Sequence, residues 1–300
     1  MDLTLEVIWR LKFIHLTRLM RRLFWISMFL LSGAALSAQV AEIGIAGGGA
    51  IYYGDMTPQD VMDVFRTVRP AGGVYGRFHF TDRLALRASV SRLILFGDDR
   101  FNGWTRALNF RTPVTEASIM GELSLFRIYL FHQAVFAMPY IHGGVGHIWF
   151  NPTGRYQEQW VDLQPLGTEG QGLPGYPLPY ALSTLVVPCG GGVKFVAGYR
   201  WVIGLEGTLR FTNTDYLDDL STGRVSYNEL LENKGLMAAQ IARPSFNPET
   251  DDPNEPFLRG GAARDFYFSG QLTIGMLLGD YPESGRRGGR GRPRVRCYEF

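Results

Sequence analysis

The 300-residue chain is 46% hydrophobic and 13% aromatic with only 19% charged residues, which excludes a disordered protein and is poor in charge for a water-exposed surface. Its formal charge of +2 is unevenly spread: residues 1–38 and 279–300 each carry +3, and residues 39–278 carry −4, so the body is no nucleic-acid binder. Cys189 and Cys297 have no Cys or His at ligand spacing, which excludes a disulfide framework or a zinc site and leaves both expected to be unpaired.

From Met20 the chain has Arg21 and Arg22, an apolar stretch from Leu23 to Leu36, and small residues ending at Ala38. This is the pattern of a cleaved secretory signal peptide, with cleavage after Ser37 or Ala38. The apolar stretch is short for a membrane anchor, which needs about 20 residues. Residues 1–19 then stand upstream of a well-placed methionine, and no cysteine at the cleavage point offers a lipid anchor. No later run of 18 apolar residues forms a transmembrane helix.

Period-2 alternation dominates the chain beyond Ala38. Glu42 to Tyr53 is a Gly-rich strand with weak alternation, and GVYGRFHF from Gly73 sets Arg77 and His79 on a polar side. In RLALRASVSRL, Leu84, Leu86, Ala88 and Val90 oppose Arg83, Arg87, Ser89 and Ser91; TEASIMGELSL from Thr115 places Glu116 and Glu122 on its polar side. Pro139 to Trp149 and Thr184 to Val196 are further Gly-rich strands. RWVIGLEGTLR opposes Trp201, Ile203, Leu205 and Leu209 to Arg200, Glu206, Thr208 and Arg210, and DFYFSGQLTIGM from Asp265 repeats the scheme.

Eight strands result, joined by connections that alternate short (near Thr81 and Asp82, 127–138, 197–199) and long (54–71, 96–113, 150–183, 212–264). That alternation predicts an all-β fold, an eight-stranded antiparallel outer-membrane β-barrel with periplasmic turns and long extracellular loops. Apolar residues then meet lipid, and Arg77, Arg87, Glu116, Glu122, Lys194, Arg200, Glu206 and Arg210 meet one another in the lumen. A soluble eight-stranded barrel would reverse the two faces. So narrow a lumen is filled by side chains, which predicts a plugged barrel without a pore. Tyr52, Tyr53, Phe78, Phe80, Phe126, Tyr129, Trp149, Phe150, Trp201, Phe211 and Phe266, at strand ends, are expected to form interfacial girdles.

The stretch FTNTDYLDDLS opens the longest loop with Asp215, Asp218 and Asp219. It lacks the D-x-[DN]-x-[DN]-G pattern and distal Glu of a calcium loop, so a solvated loop or contact surface is expected in place of a metal site. A lipid-modifying barrel enzyme would pair a His with a Ser. No local motif joins His142 or His147 to Ser183, Ser221 or Ser226, and a spacing of five puts the two histidines on opposite strand faces. GIAGGGA and CGGGVKF lack the phosphate-loop pattern and fit a closely packed barrel wall. The tail from Gly279 is a flexible Arg-rich segment.

Taken together, EIGIAGGGAIYYGDM, RPAGGVYGRFHF, RALNFRTPVTEASIMGELSLF, PYIHGGVGHIWFNP, LQPLGTEGQG, RWVIGLEGTLRFTNTDYLDDLS and DFYFSGQLTIGM resemble the PorG-like outer-membrane barrels of the Bacteroidetes type IX secretion system. The resemblance covers nearly all of residues 42–278; residues 1–19 and the Arg-rich tail are not part of it. It implies a non-catalytic scaffold or docking component without a cofactor. The implied partners are outer-membrane lipid, periplasmic ring components and other outer-membrane secretion components. Gln164, Gly167, Glu169, Asp215, Asp218 and Asp219 are the matching loop positions. A surface adhesin is a further alternative. If the ring is periplasmic, these loop motifs face the wrong side for it, so they either serve another client or fold over the mouth to seal it.

Overall fold

The computed structural model describes residues 40–130, 135–197, 200–262 and 264–278. The segment expected to be a signal peptide, the Arg-rich tail and Cys297 lie outside the described residues.

Eight long strands form the wall of one antiparallel sheet: β1 (Val40–Tyr53), β2 (Arg69–His79), β3 (Leu84–Asp98), β4 (Asn109–Ser124), β5 (Val135–Phe150), β6 (Ser183–Ala197), β7 (Trp201–Thr212) and β8 (Phe266–Leu277). The short strands Ile128–Leu130, Thr153–Tyr156 and Gln159–Asp162 extend the same sheet. Each long strand pairs with its chain neighbours, and β1 with β8 closes the cylinder. No sheet edge is left within the wall, which is the condition for crossing hydrocarbon with strands. β3 and β4 run further than alternation alone suggests, to Asp98 and from Asn109, so the loop expected over 96–113 shrinks to residues 99–108.

The two faces divide by chemistry. Outward residues such as Ile45, Val74, Val90, Ile119, Val145, Leu205 and Leu272 are half or more exposed, a condition that only a lipid solvent makes favourable for so continuous an apolar wall. Inward positions alternate with them, and their large side chains, such as Tyr52, Arg77, Leu93, Glu122, Tyr140, Lys194 and Tyr267, are buried. The wall is an outer-membrane type of barrel.

Consecutive residues in a strand face opposite sides, and this corrects two members of the expected girdle. Tyr52 and Phe150 are buried at 1% and 3% exposure; they point inward because Tyr53 and Trp149, their neighbours, point outward. Phe78, Phe126, Tyr129, Trp149, Trp201 and Phe211 are exposed at the wall ends as expected.

The lumen is filled in layers. Val40, Met138, Val196, Val202 and Leu277 form an apolar floor at the periplasmic end. An ionic layer comes next. Above it, Ala50, Tyr52, Leu93, Leu95, Phe110, Val114, Ile148 and Tyr267 form an upper apolar layer, into which the last loop inserts Leu217 and Leu220. Both leucines are fully buried, and each burial is worth about 1.5–3 kcal/mol.

That last loop is itself folded. Ser226 caps α2 (Tyr227–Lys234) by accepting the Glu229 N–H at 3.2 Å, and Gly235 at φ 89 turns the chain into α3 (Leu236–Ala242), a backbone region that favours glycine. The two helices enclose Val225, Leu230, Ala239 and Ala242 against Tyr176, Phe246 and Phe257. The first loop holds α1 (Val61–Thr67), capped by Asp60.

Candidate functional site

Two buried polar assemblies hold the predicted residues, one inside the wall and one across the extracellular mouth.

In the lumen, Glu122 is the hub. Its carboxylate lies 2.9 Å from Arg77 Nε, 3.3 Å from Arg87 Nε and 3.1 Å from Lys194 Nζ. Arg77 and Arg87 are directly opposite in the β2–β3 register, a like-charge pairing that is unfavourable by itself. Glu122 between them, with Glu206 on Arg87 at 2.6 Å and Glu42 on Arg77 at 2.5 Å, offsets it. Tyr140 donates to Glu206 at 2.6 Å and Tyr75 to Glu42 at 2.9 Å. One layer higher, Arg210 Nε bonds Glu116 at 2.6 Å, and Tyr267 donates to the same oxygen at 2.8 Å.

The structure brings together seven of the eight predicted lumen charges. Arg200 is not among them: it is exposed in the turn before β7, one residue below the wall, where its side-chain parity has no lumen to point into. Glu42, which the Gly-rich pattern of β1 conceals, takes a place in the network. The exchange makes the barrel interior neutral, with Glu42, Glu116, Glu122 and Glu206 against Arg77, Arg87, Lys194 and Arg210. Charge balance is the signal that could have found it, since unpaired charge inside a dry barrel is costly.

Across the mouth, the two motif-bearing loops lock together. Gly167 sits at φ 59 after a 3-10 turn (Gln164–Leu166), and a Cβ there would lie 2.6 Å from the Gln171 carbonyl, so glycine is required. The turn delivers Thr168 and Glu169 to the last loop. Thr168 donates to Asp219 Oδ2, Tyr180 donates to Asp219 Oδ1 at 2.6 Å, and Arg259 Nη1 bonds that carboxylate at 3.0 Å. Glu169 accepts the Ser221 N–H at 2.8 Å and the Ser221 hydroxyl at 2.5 Å. Gln164 donates to the Tyr180 carbonyl at 3.1 Å, and the Tyr180 and Tyr216 rings stack at 4.3 Å.

Beneath this clasp, Tyr52 from the wall meets two carboxyls: its oxygen is 2.6 Å from Asp218 Oδ2 and 2.5 Å from Asp265 Oδ1. A tyrosine hydroxyl has one proton to donate, so one of the two carboxyls must itself carry a proton and donate to the tyrosine oxygen. Burial pushes Asp218 well up from the usual carboxylate range, and the nearby Asp265 charge adds to it; burial likewise raises Asp265 to about 8. Each carboxyl also accepts a backbone N–H, from Leu220 at 3.0 Å and from Leu217 at 2.9 Å. Those bonds set the two leucines into the upper apolar layer, and Thr112 ties the segment to β4 by donating to the Leu217 carbonyl at 2.6 Å. Asp215 is raised to about 7, by burial first and then by Asp55 and Glu169. Glu169 is raised by burial against the opposing pull of Arg259 and Ser221.

The structure thus joins five of the six loop positions, Gln164, Gly167, Glu169, Asp218 and Asp219, in one seal, with Asp215 at its margin. Sequence reasoning missed Tyr52, Thr168, Tyr180, Arg259 and Asp265. Among the described residues no group of three His, Cys, Asp or Glu side chains is arranged to hold a metal ion. His142 is buried in the lumen beside Thr208 at 3.1 Å, and His147 lies on the opposite face, T-stacked on Trp149. Ser221 is bonded to Glu169 and Ser226 caps a helix, so neither serine is paired with a histidine.

A family model described as "Domain of unknown function (DUF6089)" matches residues 21–233. The chain belongs to this DUF6089 family. The match ends before Arg259 and Asp265, so these two partners in the seal lie beyond the family segment. A search of curated proteins gives no match. Among solved structures, the chain is similar to Neisserial surface protein A (6% identity, 80% of this chain and 99% of that one, TM-score 0.40). It is also similar to Ail of Yersinia pestis (9%, 80% and 97%, 0.35) and OprG of Pseudomonas aeruginosa (9%, 80% and 95%, 0.34).

Proposed function

We propose that this DUF6089 protein is a non-catalytic scaffold in the outer membrane, serving the type IX protein secretion machinery by binding and positioning other components. The observation that carries the reading is the filled cylinder: among the described residues, apolar floor, neutral ionic layer, upper apolar layer and clasped loops occupy the lumen in series. Work must then be done on outward surfaces. The sequence resemblance to the PorG-like barrels supplies the particular machinery.

On the periplasmic side the exposed Phe80, Leu125, Phe126, Ile128 and Tyr129 surround short turns suited to contact with a ring component. On the extracellular side the folded last loop exposes Leu231, Leu236 and Met237, suited to a second outer-membrane component. The same exposed loop favours a second reading, a surface adhesin.

A deletion strain separates them. Loss of cargo secretion with adhesion defects only as a consequence supports the scaffold; normal secretion with lost attachment supports the adhesin and removes the scaffold. Crosslinking in intact cells from residues 80–83, against the same from residues 231–237, identifies the docking side.

A further inference from the structure

The wall carries an exception to its own rule. Among the residues of the eight wall strands, Arg92 of β3 and Arg111 of β4 are exposed at outward positions, and Arg69, at an inward position of β2 opposite Ala50, carries its guanidinium round to outward Phe96. The acids at the same rim already have partners: Asp98 is buried and paired with Arg100, and Asp162 accepts from Asn151. Arg69, at the upper end of β2, stacks on outward Phe96 with its guanidinium carbon 3.9 Å from the ring centre. Arg111 is the register partner of Phe96 and is close enough to Arg69 for their charges to interact. Arg92 is exposed. None of the three has a carboxylate within ion-pair distance among the described residues, whereas Arg66, Arg100, Arg106 and Arg155 nearby each have one.

Depth decides what such a group can mean. Arg92 stands eight positions beyond Leu84 on β3, a climb of roughly 20 Å for a strand tilted by about 40°. That is near the top of an apolar band about 25 Å tall. The hydrogen-bonded row through Arg92 continues through Thr115 to Trp149, an outward indole of the kind that marks the membrane interface. Arg111 lies four positions further up β3's partner register, opposite Phe96. Arg69 donates to the Arg66 and Val68 carbonyls, yet arginines at this level without a carboxylate partner are suited to an anion supplied by the membrane itself.

A second feature adjoins them. α1 leads directly into Arg69 and exposes Val61, Met62 and Phe65 at 69%, 70% and 68%. An apolar helical face beside a cluster of cations is the arrangement of an interfacial element, with acyl chains under the helix and acidic groups at the cations.

We propose that Arg69, Arg92 and Arg111, flanked by α1, bind the phosphate group of an outer-leaflet glycolipid and fix its acyl chains against β2–β4. The site rests on the outer-membrane placement of the barrel and is independent of the docking role, so each can fail without the other.

Native mass spectrometry of the detergent-purified full chain tests it, with three probes: bis-phosphorylated lipid A, the same lipid dephosphorylated, and inorganic phosphate. The phosphorylated lipid is expected to bind, the dephosphorylated lipid to bind at least about tenfold more weakly, and inorganic phosphate not to compete. Arg92→Gln should weaken lipid binding about fivefold and the triple R69Q/R92Q/R111Q variant on the order of a hundredfold, with Arg200→Gln as an unchanged control. Should the triple variant fail to fold, as read by heat-modifiable gel migration, Arg92→Gln decides, since Arg92 is exposed and forms no ion pair among the described residues. Equal binding of the two lipids, full competition by inorganic phosphate, or unchanged affinity of Arg92→Gln would overturn the proposal.

Discussion

The lumen and the mouth of this barrel both bury charge, and they keep it in different ways. Inside the wall, four acids meet four bases at positions fixed by strand register, so every charge has an opposite one in contact. At the mouth, acids outnumber bases: Asp218, Asp219, Asp265 and Glu169 surround Arg259, and a proton shared through Tyr52 offsets one unit of the excess. A rigid wall can place paired ions because its register determines where each side chain points. Loops that must also bring Leu217 and Leu220 into the apolar layer have carboxyls accepting their own backbone N–H groups, and those carboxyls stay buried at the cost of remaining partly neutral. The lumen is therefore a fixed element and the mouth a conditional one.

The sharpest way to break the comparison is to remove the hub. Glu122→Ala strands Arg77, Arg87 and Lys194 with one carboxylate fewer, and leaving buried charge uncompensated costs about 3–5 kcal/mol. Denaturant titration of the refolded barrel in detergent, followed by heat-modifiable migration, should show it unfolding far earlier than the parent. An unchanged midpoint would mean the ionic layer is wet and screened.

The next largest effect is expected at the junction of the two regions. Tyr52→Phe removes the hydroxyl between Asp218 and Asp265 and should destabilise the seal by about 1–3 kcal/mol. Its signature is faster proteolysis of residues 212–264 with the barrel midpoint largely kept. If barrel and loop are lost together, the mouth is not a separate unit.

A pH series sharpens the contrast. Asp218 and Asp265 have folded-state values raised above the unfolded carboxylate value of about 3.9, Asp265 to about 8. Protonated acids stabilise the seal fully below the unfolded value, and that contribution is lost as pH rises through the folded one. Loop protection in hydrogen exchange or limited proteolysis should therefore fall between about pH 4 and 8. Asp218→Asn supplies a permanent donor to the tyrosine oxygen while its carbonyl keeps the Leu220 N–H, so it should flatten that dependence. A profile as steep as the parent's would place the shared proton elsewhere.

The smallest effect is expected at Arg200→Gln, within about 0.5 kcal/mol of the parent, because the side chain is exposed in a turn. A large loss there would return Arg200 to the network.

Much of the wall was legible in the sequence because alternation of period 2 carries strand number, phase and facing together. Where the pattern thins, so does legibility. Glu42 sits at the head of a Gly-rich run whose small residues hide which side is inward, and Arg200 has inward parity but lies one step outside the cylinder. Tyr52 and Phe150 were assigned by residue type, though each has an outward neighbour that already claims the lipid side. The six loop positions came from a resemblance, and five of them do assemble. Their partners did not announce themselves: Arg259 lies 40 residues from Asp219 in the chain, and Tyr180 lies 39 away, in irregular segments without a period to project them onto a common face.

The most direct test of the sealed cylinder is conductance. The purified chain inserted in a planar bilayer at pH 6 should give no discrete current steps under applied voltage, because the floor, the neutral ionic layer and the clasped mouth lie in series. Reproducible ohmic steps from the folded, heat-modifiable species would contradict a filled lumen and with it the account of a barrel that acts only through its outer surfaces.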